Sequence, residues 1–150
     1  MVYVFLANGF EEMEAIAPID LLRRAELKVV TVAVGTDTTM VTGAHGIRIH
    51  ADITEQQVDL TGIEMAVLPG GMPGTLHLEQ SAVVQTVLKH CEQQNIPIGA
   101  ICAAPSILGH MGLLHGITAT CFEGFETQLT GANYSPQHVC CDQNIITARG

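Results

Sequence analysis

Hydrophobic positions along the chain fall into short apolar runs separated by longer segments with helical spacing. The first run, "VYVFLA" at residues 2–7, is continuous and β-branched, which predicts a strand buried on both faces. It is followed by "FEEMEAIAPIDLLRRAE", in which Met13, Ile16, Ala17, Leu21 and Leu22 recur as they do along an amphipathic helix. The same alternation continues. "KVVTVAV" (28–34) and "EMAVLPGG" (64–71) read as strands, the second closed by a tight glycine turn. "SAVVQTVLKHCEQQN" (81–95) reads as a helix capped by Ser81, with apolar residues at 83, 84, 87, 88 and 91. "IPIGAI" predicts a strand that runs into a further helix after Cys102. "TMVT…GIRIHA" (39–51) alternates about a glycine and predicts a hairpin or edge pair. "GITATC" (116–121) follows as another strand, and "HVCCDQNIITAR" (138–149) predicts a terminal hairpin turning at "DQN".

Alternating β and α elements predict a single α/β domain over 1–150, with a mostly parallel sheet and helices on both faces. In such sheets, sites form beyond the carboxyl ends of the strands. "LANGFEE", "LPGGMPG" and "AICAAPS" all lie at predicted strand ends, so three chemically unusual loops converge on one rim. The sequence stops at "TARG" directly after a strand, where a closing helix would cover the sheet. The expectation is that a C-terminal element is missing from this sequence or is supplied by another chain.

Composition narrows the class. Hydrophobic residues make up 47% and charged residues 14% of the 150, which excludes disorder and suits elements buried on both faces. No apolar stretch is long enough to span a bilayer, and "MVYVFLANG" lacks the charged start and cleavage site of a secretion signal. A cytoplasmic protein is the simplest expectation. The net charge of -9 argues against a nucleic-acid partner, because phosphate backbones are held by Lys and Arg. Cysteines stand at 91, 102, 121, 140 and 141; this odd count without a signal peptide predicts reduced thiols.

Cys102 is the leading candidate for chemistry. A strand running directly into a helix turns sharply and pushes the residue at the turn out of the sheet, as in a nucleophile elbow. Gly99, Ala100, Ala103 and Ala104 are small enough for that turn. Helix N–H groups near the sulfur would favour the thiolate and lower its pKa. Glu11 and Glu12 suit a solvated first helical turn, whereas Glu14, between Met13 and "AIAP", is harder to place on a polar face. A carboxyl at an apolar rim has a raised pKa and can donate to a thiolate or shuttle a proton; a third exposed acid is the equal alternative. The glycines of "LPGG" (68–71) let backbone N–H groups approach an oxyanion, although a plain tight turn explains them too. No histidine has ligand spacing to another His or Cys, so no metal site is expected. Cys91 reads as core, and vicinal Cys140 and Cys141 point to opposite faces of a strand.

Together "FEEMEA", "LPGG" and "AICAAP" resemble the ThiJ/PfpI superfamily, nearest the branch of the Parkinson-associated protein deglycase. The likeness runs in order along nearly the whole chain and includes "LLRRAELKV" and "TGAHG". It implies a flavodoxin-like three-layer sandwich, a homodimer, no cofactor, and Cys102 as nucleophile or oxidation-sensitive thiol. It also implies Glu14 as the protonated partner of Cys102, Gly71 and Ala103 as backbone oxyanion donors, and Arg24 and His45 near the site at the dimer contact. Two departures bear on function. Cys121 stands where several relatives place a histidine, so a Cys–His dyad is not supported. Ala103 stands where the peptidase-like branch has His, which disfavours proteolysis. The His-x-Glu of glutamine amidotransferases is absent, and no residue supports the thiazole or phosphate site of a thiamine-biosynthesis protein.

The resemblance favours a glyoxalase or deglycase that acts on reactive carbonyls such as methylglyoxal, or on glycated protein. Cys102 would form a hemithioacetal and Glu14 would shuttle the proton. The alternative is a redox-sensing stress protein or chaperone in which Cys102 oxidises to sulfinate.

Overall fold

The computed structural model describes residues 1–150. Seven strands form the main sheet: β1 (Val2–Ala7), β2 (Val29–Val34), β5 (Ile53–Thr54), β6 (Met65–Leu68), β7 (Ile98–Ile101), β10 (Val139–Asp142) and β11 (Ile145–Ala148). Their order across the sheet is β10-β11-β7-β6-β1-β2-β5. All neighbours are parallel except the β10–β11 hairpin, which turns at Gln143 and Asn144 as the "DQN" signal predicts. β1 is buried along its whole length at the centre.

Helices cover both faces. On one face α1 (Glu12–Arg24) packs Ala15, Ile19 and Leu22 against Val4, Leu6, Ala33 and Val67. On the other lie α2 (Gly74–Gln80), α3 (Ala82–Gln93) and α4 (Pro105–His110). They contribute Leu78, Val87, Leu88, Ile107 and Leu108 to the larger core with Phe5, Leu68 and Ile98. Ser81 caps α3, accepting from the Val84 amide at 3.2 Å. No helix is long and apolar enough to cross a membrane.

The 39–51 segment is a hairpin as its pattern predicts, β3 (Met40–Thr42) with β4 (Arg48–His50), and it forms its own two-stranded sheet away from the main one. Three features differ from the pattern-based expectations. The α2 helix over 74–80 was not foreseen, because a seven-residue helix is too short to display a period. The two-residue edge strand β5 is likewise below that limit. The predicted strand at 116–121 shrinks to β8 (Thr118–Ala119), which pairs with β9 (Asn133–Tyr134) outside the main sheet.

The α1 face is only partly covered. Beside α1 lies an apolar groove of about 460 Å³, lined by Met13, Pro18, Leu21, Val67, Ile101 and Ile146 among others.

Candidate active site at the Cys102 elbow

Cys102 directly follows β7 and precedes α4, with φ at 64°. A left-handed conformation at a non-glycine residue is strained, and the surrounding chain has to hold it. It does so through backbone pairing on both sides. The Cys102 amide donates to the Ala148 carbonyl at 2.9 Å, and its carbonyl accepts from the Phe122 amide at 2.8 Å. The elbow thus joins β7, the end of β11 and the loop after β8.

Glu14 reaches toward the thiol across the rim, and each of the two groups shifts the titration of the other. Its Oε2 also accepts from the Gly70 amide at 2.9 Å. The Gly70–Gly71 corner lies against both groups. A Cβ at Gly70 would come within 2.7 Å of the Cys102 Cβ and of Glu14 Oε2. Gly71 adopts φ 92°, and a Cβ there would lie 2.7 Å from the Gly9 carbonyl oxygen, so only glycine fits. The amides of Ala103 and Gly71 lie near the sulfur and favour its thiolate. Gly150 packs over the pair, with its Cβ position 3.1 Å from Glu14 Oε1 and 3.4 Å from the Cys102 sulfur.

The electrostatics correct one expectation. Burial pushes the Cys102 thiol up to about 11, the charge of Glu14 and its hydrogen bond add to the rise, and the Ala103 and Gly71 amides only partly oppose it. Helix α4 begins three residues after the cysteine and is only six residues long, so it offers less than the sequence pattern implied. Glu14 is itself raised above the usual carboxylate range by burial and by the Glu11 charge, against the hydrogen bonds from Cys102 and Gly70. Two desolvated acids in contact titrate as a unit. The resting sulfur keeps its proton, and Glu14 is the carboxyl beside it.

The other anticipated residues fall away from the sulfur within this chain. Arg24 is exposed at the far end of α1 and pairs with Asp20 at 2.9 Å, ten residues or about 15 Å along the helix from Glu14. His45 lies in the β3–β4 turn and its Nδ1 pairs with Glu12 at 2.8 Å. Cys91 and Cys140 are buried and Cys141 is exposed, as helix and strand phase predict, and Cys121, just after β8, is buried too. Burial lifts Cys121 to about 11, so it cannot stand in for the histidine that the resemblance places there.

Glu12 is the residue that sequence reasoning misplaced. It is not in a solvated first turn but 4% exposed, with its carboxylate folded into the β3–β4 turn. Burial alone would raise it, yet the His45 ring and the amides of His45, Glu12 and Ile47 hold it below the ordinary range. Helical phase could not show this, because the burying element lies thirty residues downstream. Glu11, Glu12 and His45 offer ligand atoms within 4.8 Å of one another. Those of Glu12 are engaged by the turn, and Glu11 Oε2 caps α1 by accepting from the Glu14 amide at 2.8 Å. The group reads as a cap and an anchor.

A parallel α/β sheet with a strained cysteine between strand and helix, a carboxyl against its sulfur and two amides aimed at it defines a cysteine-elbow protein of the flavodoxin-like class. The DJ-1/PfpI family model matches residues 1–150, and the chain belongs to that family. Among relatives, protein DJ-1 homolog B of Arabidopsis thaliana is 36% identical over 150 residues, 99% of this chain and 34% of that protein. The chain therefore spans about a third of this plant relative. The glutathione-independent glyoxalase DJR-1.2 of Caenorhabditis elegans is 34% identical over 145 residues, 93% of this chain and 74% of its own. Deglycase PH1704 of Pyrococcus horikoshii is 29% identical over 146 residues, 95% and 86% respectively. The solved structure of oxidized Toxoplasma gondii DJ-1 superposes with a TM-score of 0.94 at 35% identity, covering 99% of this chain and 81% of that one.

Proposed function

We propose that the protein is a cofactor-independent glyoxalase acting on small reactive carbonyls such as methylglyoxal, with Cys102 as nucleophile and Glu14 as proton carrier. The observation that carries this reading is a half-buried carboxyl set beside a thiol held at a strained elbow, each shifting the other's titration. The names of the worm and archaeal relatives point to the same substrate class.

The proposed steps balance without an external redox partner. Glu14 accepts the thiol proton as the sulfur attacks the aldehyde carbon, and returns it to the oxygen to give a hemithioacetal. The developing oxyanion lies beside the Gly71 and Ala103 amides. Glu14 then removes the proton from the former aldehyde carbon and delivers it to the neighbouring carbonyl carbon through an enediol, with proton exchange at oxygen. The product is a lactoyl thioester on Cys102. Water cleaves it to lactate and the free thiol, so the sum is methylglyoxal plus water to lactate. Deglycation of protein adducts would begin with the same attack. The test is methylglyoxal loss and lactate formation without glutathione; no lactate from the folded protein would reject the reading. Gly70→Ala should lower kcat on the order of 10²-fold and lower Tm as well, because the new methyl meets the Cys102 Cβ and Glu14 Oε2 at 2.7 Å and the Ile101 carbonyl at 3.0 Å, so that thiol, carboxyl and corner must shift apart.

A second reading is favoured by the same donors. Two equivalents of peroxide convert the thiol to a sulfinic acid with release of two waters, and the Gly71 and Ala103 amides that favour the thiolate would donate to its oxygens. Mass spectrometry after mild peroxide treatment should find two added oxygens at Cys102 before any at Cys91, Cys121, Cys140 or Cys141. Equal oxidation of all five would overturn it. Assembly as a homodimer is part of the proposal, supported by the exposed Met13, Ile16 and Leu21 on α1 beside the apolar groove. Sedimentation tests that directly.

A further inference from the structure

We infer that Glu12 and His45 are positioning residues for Cys102, acting through one hydrogen-bonded chain that runs from the β3–β4 turn to the Gly71 amide. This rests on Cys102 being the reactive group, and it is independent of which carbonyl the sulfur attacks.

The chain begins at a carboxylate that is buried without any Lys or Arg partner. Such a group is costly unless its lone pairs are filled. Glu12 Oε1 accepts from the His45 amide at 2.7 Å, Oε2 accepts from the His45 Nδ1–H at 2.8 Å, and the Ile47 amide adds a further donor. Gly43 lies so close that a Cβ would strike the carboxylate. The turn is therefore folded around Glu12, and a hairpin outside the main sheet is fixed by it.

From the hairpin the bonds pass to the loop after β1. The Ala44 amide donates to the Phe10 carbonyl at 2.8 Å and the Gly9 amide to Thr42 at 2.8 Å. The Thr42 amide donates to Asn8 Oδ1 at 2.9 Å. That loop in turn holds the glycine corner. The Glu11 amide donates to the Gly70 carbonyl at 2.9 Å, and the Gly74 amide to the Gly9 carbonyl at 3.2 Å. The corner ends on the reacting pair, with the Gly70 amide on Glu14 and the Gly71 amide near the sulfur. Neither Glu12 nor His45 touches Cys102, so any effect on it must travel through this loop.

The charges that face His45 are those of Glu12 and Glu11, and both hold the proton on the ring. The paired, protonated form is complete below the ordinary histidine value of 6.5 and is lost as pH rises through the raised one. Above that value the neutral ring keeps a hydrogen bond without the ion pair, and the anchor weakens.

The experiment measures iodoacetamide alkylation of Cys102 against pH in wild type, H45A, H45N and E12Q. Glu-specific digestion yields a 93–123 peptide holding only Cys102 and Cys121, and fragment ions between the two positions assign the label to Cys102. H45A should raise the alkylation inflection by about half a pH unit, a roughly threefold slowing at neutral pH. H45N, whose amide N–H falls where the Nδ1–H sat, should restore most of the rate. The gap between wild type and H45A should narrow at alkaline pH. If H45A loses Tm but keeps the wild-type rate and inflection, the pair merely supports the hairpin and the inference falls. The His45 side chain is 71% exposed, so H45A is tolerated sterically, and E12Q repeats the test from the other partner. Alkylation needs no substrate, so a wild type inert towards methylglyoxal would reject the glyoxalase reading and leave this one decidable.

Discussion

Serine at position 102 is expected to abolish methylglyoxal turnover, with kcat/KM at least roughly 10³-fold below wild type and the unfolding midpoint little changed. The two side chains differ by one atom, so the elbow, its pairing to Ala148 and Phe122, and the amides of Gly71 and Ala103 should persist. What disappears is the polarizable nucleophile. A thiol at about 11 can still surrender its proton to a neighbouring carboxylate during attack. An alkanol is several pKa units weaker as an acid and cannot do so on the same scale. Lactate formation in C102S at the wild-type rate would move the nucleophile elsewhere. The other thiols are poor replacements, since Cys91, Cys121 and Cys140 are buried and Cys141 lies on the edge strand β10. Loss of activity in C102S together with the fold intact would tie the chemistry to one sulfur.

Much of this site could be read from residue order because its parts are local signals. An apolar run meeting small residues at Cys102 is enough to predict a strand-to-helix corner, and the structure has one with φ at 64°. "LPGG" ends a strand and does form the close corner at Gly70 and Gly71. What could not be read is set by distant partners. Glu12 and Glu14 lie two residues apart in the same helical turn, yet one anchors a hairpin and the other meets a thiol. The helical pattern marks Glu14 as hard to place on a polar face but leaves Glu12 in the solvated first turn, and only the placement of β3–β4 shows that Glu12 is buried. The thiol pKa was misjudged for a related reason. Local helix N–H groups are visible in sequence, whereas desolvation by Gly70, Gly150 and the Glu14 side chain is a sum over contacts from three separate segments. Arg24 shows another limit: within one chain it pairs with Asp20 and faces solvent, and a place at a dimer contact would be set by a second copy.

Glutamine in place of Glu14 should separate thiol reactivity from catalysis, moving the two in opposite directions. The substitution preserves size and leaves an oxygen to accept from the Gly70 amide, so the corner should hold. It removes the only carboxyl in contact with the sulfur, and kcat for methylglyoxal should fall by about 10²–10⁴-fold, the range of a lost general acid–base group. The same change removes the negative charge that helps to raise Cys102. The alkylation inflection should therefore drop below its wild-type value, and iodoacetamide should react faster at a given pH while the carbonyl is turned over more slowly. A uniform loss of both would mean that Glu14 serves only to shape the pocket. Stability gives an independent check. Because folding raises the Glu14 pKa, the native chain binds more protons than the unfolded one from the ordinary glutamate value of 4.5 up to the raised value. Stability then declines as pH climbs through that window. E14Q should lose this part of the decline, and thermal melts across mildly acidic pH will show whether the slope flattens. An unchanged slope would deny the desolvation of Glu14 on which its role as proton carrier depends.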